Sequence, residues 1–322
     1  EAFSCSSIES IVIPPHLEII KDGAFSYCEN LKNVEISSNS ELQVIEHNAF
    51  EEASIESFSI PSHLTHICDS AFLLCGSLKT ITFQSNTELQ RIENSAFAGS
   101  IIEYFTIPSS LIELDGKWCN GLNHLINIDV SPNNKRYVKY ENTFVLGKST
   151  IETENYDVLV FCPRNIKNIT IPSFIKHIGP CAINECHNIN KVEIPVNSEL
   201  QTIDESALSY SLIKSFTVPY TVTTIGNSAF NKCQELTVIE IPENSELKTI
   251  GNFAFSFSSI KSFSFKSKVT EIGKNIFYSC QKLQIIEFTE NSEIQFIDQS
   301  LFEECEKAII MIPVDLKDKL II

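Results

Sequence analysis

Apolar positions along this chain fall into two short phrases that alternate from end to end. The first, as in Leu31-Lys32-Asn33-Val34-Glu35-Ile36, switches between apolar and polar residues with a period of two. That pattern predicts a short strand with one face buried. About 13 such strands are expected, with Val34/Ile36, Phe58/Ile60, Ile81/Phe83, Val192/Ile194 and Ile239/Ile241 among the inward pairs. The second phrase, Ser-Ala-Phe-x-x-Cys, sets Ala and Cys four residues apart and Phe and Cys three apart. Such spacing puts all three on one side of a helical turn, so a helical turn is expected opposite each strand. Proline follows many strands (Pro14, Pro61, Pro108, Pro172, Pro195, Pro219 and Pro242), where its missing N–H ends the ladder. Asn-Ser-Glu fills the longer corners, because Asn and Ser hydrogen-bond their own backbone locally.

The phrases keep a strict register. The residue opening each L-x-x-I phrase is Leu17, Leu42, Leu64, Leu89 and Leu111, then Ile175, Leu200, Val222, Leu247, Val269, Ile294 and Leu316. Steps of 25 and 22 residues alternate, broken once by a step of 64, so the repeating object is a 47-residue pair of units. One unit cannot bury its apolar face alone, but stacked on its neighbours it can. Successive strands then lie parallel and about 4.8 Å apart, giving an arc about 60 Å long. The expected fold is an α/β solenoid over residues 1–322, with the parallel strands on the inner face and helical turns outside. Ala2-Phe3 is the tail of an x-x-Ala-Phe phrase, so the chain is expected to begin within a repeat.

The full phrase I-P-x-x-L-x-x-I-x-x-x-A-F-x-x-C-x-x-L resembles the BspA-type (Treponema-pallidum-like) leucine-rich repeats over essentially the whole chain. The Asn-Ser-Glu-Leu alternation is most similar to members from parasitic protists. That resemblance implies a leucine-rich repeat arc and a cell-surface or secreted adhesion and recognition protein without enzymatic activity. It also implies protein ligands on host cells or in the extracellular matrix, such as fibronectin. The break at 131–168 is similar to the irregular inserts of such arrays. Its apolar runs Phe144-Val145-Leu146 and Val158-Leu159-Val160-Phe161 predict a hairpin-like repeat that continues the stack. Lys135, Arg136, Lys139 and Lys148 make it locally basic, which keeps a binding role in view beside a tolerated insertion.

Charge narrows the partners. The formal net charge of -17 repels phosphate, which argues against nucleic acid and anionic membrane. No run approaches the length of a membrane span, and no signal peptide is visible at the start. The 11 cysteines follow the repeat: Cys28, Cys75, Cys186, Cys233 and Cys280 share one slot, with Cys5 and Cys305 in its equivalent at the ends. Elsewhere Ala53 or Ser256–Ser258 fills it, so it reads as a small buried position holding reduced thiols. Same-slot neighbours in alternate units stand about 10 Å apart, beyond disulfide reach. Cys68, Cys162 and Cys181 are off-register and are the candidates for exposure.

No phosphate loop or catalytic motif is present, and neither an enzyme nor a cofactor is expected. His63-Leu64-Thr65-His66-Ile67-Cys68 is the one local cluster with ligand-like residues. Lacking a second pair, it reads as solvated corner histidines, and no metal site is expected. Gly179, Gly226, Gly251 and Gly273 share a slot with Glu46, Glu93 and Asp204, so no left-handed residue is demanded there. The candidate binding face is the outward strand position: Glu35, Thr82, Asp129, Glu193, Glu240 and Glu287 in the longer units, and Ser59, Thr106, Thr217 and Ser264 in the shorter. Stripes of carboxylate and hydroxyl would attract a basic protein surface. Tyr104 is the one large aromatic on that face; Trp118 reads as core filler beside the insertion. Two functions follow: a surface adhesin for host or matrix proteins, and an intracellular scaffold. The reduced thiols and a single Asn168-Ile169-Thr170 sequon favour the second.

Overall fold

The computed structural model describes residues 1–266, 268–290, 292–294, 297–305 and 308–313; the repeat position Leu316 lies outside them. The chain forms two compact units, Glu1–Tyr156 and Asp157–Ile322. Each is a β-solenoid whose coils have three sides.

The first side holds the strands expected from the period-two phrase. In the first unit these are Ser10–Ile13, Asn33–Ile36, Ser57–Ile60, Thr80–Phe83, Tyr104–Ile107 and Asn127–Val130. In the second they are Asn168–Thr170, Lys191–Glu193, Ser215–Thr217, Val238–Glu240, Ser262–Phe265, Ile285–Phe288 and Ile309–Met311. All pair in parallel, but not as one sheet. A shorter-unit strand couples to the longer-unit strand after it, as Ser10–Ile13 does to Asn33–Ile36 and Ser215–Thr217 to Val238–Glu240, and the ladder stops there. Among the described residues, only Ile309–Met311 adds a third strand, beside Ile285–Phe288. The breaks after Asn33–Ile36, Lys191–Glu193 and Val238–Glu240 follow an Asn-Ser-Glu corner.

A second ladder replaces what the sequence reads as a corner. Ile19–Ile20, Val44–Ile45, His66–Ile67, Arg91–Ile92 and Glu113–Leu114 form one unbroken parallel sheet in the first unit. Val158–Phe161, His177–Ile178, Thr202–Ile203, Thr224–Ile225, Thr249–Ile250 and Glu271–Ile272 do so in the second. Just before it, the buried Ser40, Ser198 and Ser245 Oγ atoms accept the N–H of Leu42, Leu200 and Leu247. The shorter corner instead closes through a backbone bond to proline, as Leu64 N–H does to the Pro61 carbonyl.

The third side corrects the expected helical turns: no α-helix is present among the described residues, and the Ala-Phe-x-x-Cys phrases are chains of tight turns. Alternate N–H groups serve different partners. Ala24, Ser26 and Cys28 donate three residues back, to Lys21, Gly23 and Phe25, while Gly23, Phe25 and Tyr27 donate to His47, Ala49 and Glu51 on the next coil. A left-handed residue recurs every fourth position, as at Asn48 and Glu52, Ser70 and Leu74, or Phe253 and Phe257. The physical reason is width. An α-helix with side chains is about 10–12 Å across, whereas coils joined by backbone hydrogen bonds sit about 4.8 Å apart. The Ala/Phe/Cys spacing buries the same three side chains either way. With this side hydrogen-bonded like the others, no helix wedges the coils apart within a unit.

Those side chains make the core. Phe3, Phe25, Phe50, Phe72 and Phe97 stack with centroids 5.1–5.3 Å apart, and Phe230, Phe255 and Phe277 continue the motif in the second unit at 5.4 and 5.9 Å. Offset stacking adds about 0.5–1.5 kcal/mol per pair beyond burial. Beside them Cys75, Cys233 and Cys280 donate their thiols to the carbonyls of Phe50, Leu208 and Phe255 at 2.9–3.1 Å. All 11 cysteines are free thiols. Burial pushes Cys75 and Cys233 up to about 12, so they stay protonated donors. Cys162 and Cys181 are fully buried, contrary to expectation; Cys68 is partly exposed.

The 131–168 segment contains an antiparallel hairpin. Tyr137–Tyr140 pairs antiparallel with Phe144–Gly147. Its loop is the three residues Glu141–Asn142–Thr143, with positive φ at Glu141 and Asn142, closed by the Thr143 N–H donating to the Tyr140 carbonyl at 3.0 Å. Buried Asn134 anchors it: its amide donates to the carbonyls of Pro108 and Leu111, and its oxygen accepts from the N–H groups of Arg136 and Tyr137. At the start of the second unit, buried Arg164 stacks on Phe161 and donates to the carbonyls of Cys162, Cys181 and Ala182.

Candidate functional site

Strand pleating places the six expected ligand residues on one side of their couples. Glu35, Thr82 and Asp129 in the first unit, and Glu193, Glu240 and Glu287 in the second, all carry exposed side chains. Register then sets their partners. Thr170 lies opposite Glu193 and Thr217 opposite Glu240, and each hydroxyl donates to its carboxylate at 3.1 and 3.0 Å. In the second unit these are two carboxylate–hydroxyl cross-strand pairs, whereas in the first Glu35 lies opposite Val12 and Thr82 opposite Ser59.

Two of the six are also held by cations. Lys139, from the hairpin, donates to Asp129 at 2.8 Å and to Asn127 at 2.7 Å; that contact holds the Asp129 carboxyl below its ordinary range. Lys191 pairs with Glu193 along the same strand and, with Thr170, lowers it too. The insertion's basic character is largely consumed internally, since Arg136 donates to the Ser149 carbonyl and Lys148 sits over the Tyr156 ring.

Where neighbouring couples part, the second unit has grooves that the sequence does not reveal. One, of about 580 Å³, runs past Thr170, Glu193, Pro195, Val196, Thr217 and Tyr220. Its rim is apolar: Val196 is 98% exposed and Tyr220 49%. Another, of about 340 Å³, is lined by Thr217, Glu240, Pro242, Ser264, Lys266 and Glu287. Glu193, Glu240 and Glu287 therefore stand at groove walls. Trp118 is buried against Phe105 in the first unit.

The histidine cluster takes a different form from the local one in sequence. His63 faces Glu88 at 3.4 Å, and His66 hydrogen-bonds Thr65 at 2.8 Å. Cys68 instead meets His47 from the preceding coil and Glu93 from the following one, their ligand atoms all lying within 4.8 Å of one another. Burial, and then the Glu93 and Glu46 carboxylates, push the Cys68 thiol up to about 11. Aligning the units by their opening leucine and reading down columns brings Cys68 and Glu93 into one column, with His47 in the next.

No helix among the described residues is long and apolar enough to cross a membrane. The family model for the BspA type leucine-rich repeat region matches in six copies, over residues 1–126, 155–284 and 201–318. No curated protein sequence matches the chain. Among solved structures, the pneumococcal vaccine antigen PcpA is 21% identical with a TM-score of 0.70, covering 97% of this chain and 77% of that one. A leucine-rich cell surface protein from Faecalibacterium prausnitzii is 21% identical with a TM-score of 0.67, covering 98% and 81%. A leucine-rich repeat protein from Eubacterium ventriosum is 18% identical with a TM-score of 0.59, covering 95% and 90%.

Proposed function

Because the chain belongs to the BspA-type leucine-rich repeat family, we propose that it is a non-enzymatic recognition protein of the cell surface or secreted space, an adhesin for host-cell or matrix proteins. The observation carrying this reading is the groove-bearing strand face of the second unit, where carboxylates alternate with hydroxyls beside exposed Val196 and Tyr220. Apolar rims supply contact area, and the acidic walls select a basic protein surface and speed encounter. Two proteins of similar fold are a vaccine antigen and a cell surface protein, which supports the location.

The test is binding of the intact chain to immobilised matrix proteins, with and without Glu193→Lys, Glu240→Lys and Glu287→Lys combined. The association rate is expected to fall at least about tenfold and to lose its salt dependence. Unchanged binding by the triple variant would refute this face as the site. Antibody labelling of intact cells tests the location.

A second reading, an intracellular scaffold, is favoured by the ladder of protonated, carbonyl-bonded thiols, which suits a reducing compartment. Labelling that requires permeabilised cells selects it.

A further inference from the structure

We propose that His47, Cys68 and Glu93 form a binding site for a zinc-like divalent cation on the first unit. They come from three successive coils, and their nitrogen, sulfur and oxygen ligand atoms converge within 4.8 Å. Zinc takes such mixed donors at about 2.0–2.3 Å, so tetrahedral donors stand roughly 3.5 Å apart and about 1 Å of closure is needed. His47 is the exposed member of the three. Three protein ligands leave the fourth position open for water or an outside donor. Magnesium and calcium, which take oxygen, do not suit a thiol and an imidazole.

Duplication of the repeat does not account for the trio. Carboxylates recur in the Cys68 column at Glu46, Glu93, Asp115, Asp204 and Asp298, and glycine at 179, 226, 251 and 273, but Cys68 is the one cysteine in it from Leu17's unit to Ile294's. Among the described residues, this is the one such group of three or more metal-ligating side chains. Charge balances as well: a thiolate and a carboxylate neutralise a divalent ion.

Glu93 is already oriented, since its Oε2 accepts the Asp69 N–H at 2.9 Å, the outer-shell kind of contact that positions ligands. Arg91 approaches Glu93 Oε1 at 3.3 Å, a competing cation. It is also held by Glu113 at 3.4 Å and Asp115 at 3.0 Å, so Glu93 is its third carboxylate and the one it can yield.

The intact, reduced chain is titrated with Co²⁺ as a spectroscopic probe, then with Zn²⁺ as competitor. One equivalent of cobalt is expected to give tetrahedral ligand-field bands and a thiolate charge-transfer band, both displaced by one equivalent of zinc. Cys68→Ser removes the charge-transfer band. His47→Ala and Glu93→Gln weaken zinc binding by more than the roughly 10- to 100-fold that loss of an outer-shell partner costs. Cys5→Ser, at an exposed thiol elsewhere, and His63→Ala, at the His63–Glu88 pair, leave the spectrum and affinity unchanged. Circular dichroism confirms that each variant is folded. Absence of the thiolate band at one equivalent overturns the site, as does binding that survives Cys68→Ser and His47→Ala or is lost equally in His63→Ala.

Discussion

Four residues after each opening residue from Leu17 to Ile294, the first unit carries Lys21, Glu46, Cys68, Glu93 and Asp115, while the second carries Gly179, Asp204, Gly226, Gly251, Gly273 and Asp298. Both columns face the same task, satisfying the backbone N–H of the following residue. In the first unit a carboxylate reaches back one coil: Glu46 accepts from Asp22 and Glu93 from Asp69, at 3.0 and 2.9 Å. In the second an asparagine reaches forward: Asn227 accepts from Asn252 and Asn252 from Lys274, at 2.9 and 2.7 Å. At both of these coils the glycine four residues after the opening residue stands against the backbone of the preceding coil. A Cβ at Gly251 would stand 2.5 Å from the Asn227 backbone nitrogen, and at Gly273 2.4 Å from that of Asn252. The glycines serve close approach rather than a left-handed turn.

Gly251→Ala puts the largest strain on this comparison. Its clash is with backbone, which cannot rotate away, so the second unit is expected to lose about 1–3 kcal/mol in urea denaturation. Full stability would show that the glycines are merely tolerated. Asn227→Ala removes only the acceptor for Asn252. A loss of about 0.5–1.5 kcal/mol is expected, read as faster hydrogen exchange at the Asn252 amide, with the first unit's amides unaffected.

The smallest effects are those of pH, and they carry opposite signs. The Lys21 ammonium and then the Asp22 N–H hold Glu46 below its ordinary range. Its contribution is therefore present above the unfolded value and lost as pH falls through the folded one. Glu46→Gln is expected to cost less than about 1 kcal/mol at neutral pH, since the pair is partly solvated, and nothing in acid. Burial raises Asp204, only partly offset by the Thr202 hydroxyl 2.7 Å away. Ionised Asp204 thus weakens the fold above its raised value, and the penalty disappears as it protonates. Asp204→Asn is expected to stabilise at neutral pH, with the gain vanishing in acid. Parallel pH-dependent denaturation of the two variants checks both signs; the same sign for both would break the contrast.

Much of the fold is legible before any coordinates, because the solenoid repeats each burial choice. Leu42, Leu64, Leu200 and Leu247 occupy one slot and are all fully buried. The turn side misleads because Ala, Phe and Cys at this spacing face inward in a helix and in a chain of tight turns alike. The convergence of His47, Cys68 and Glu93 is not legible because its members are distant along the chain. A search for local clusters pairs Cys68 with His63 and His66, which point to Glu88 and Thr65 instead. The strand face is half legible. Pleating shows that Glu193 and Glu240 point outward, but not that Thr170 and Thr217 would hydrogen-bond them.

By itself, the sequence determined the repeat, its 25- and 22-residue steps, the strand phrase and the buried slots, since each is written in hydrophobic periodicity along one coil. The tertiary structure alone decided which coil-to-coil bonds replace a helix, where the strand ladder splits into couples and opens grooves, and which side chains from three coils meet at Cys68. Those outcomes depend on distances between coils of a few ångströms, set by backbone hydrogen bonds running from one coil to the next.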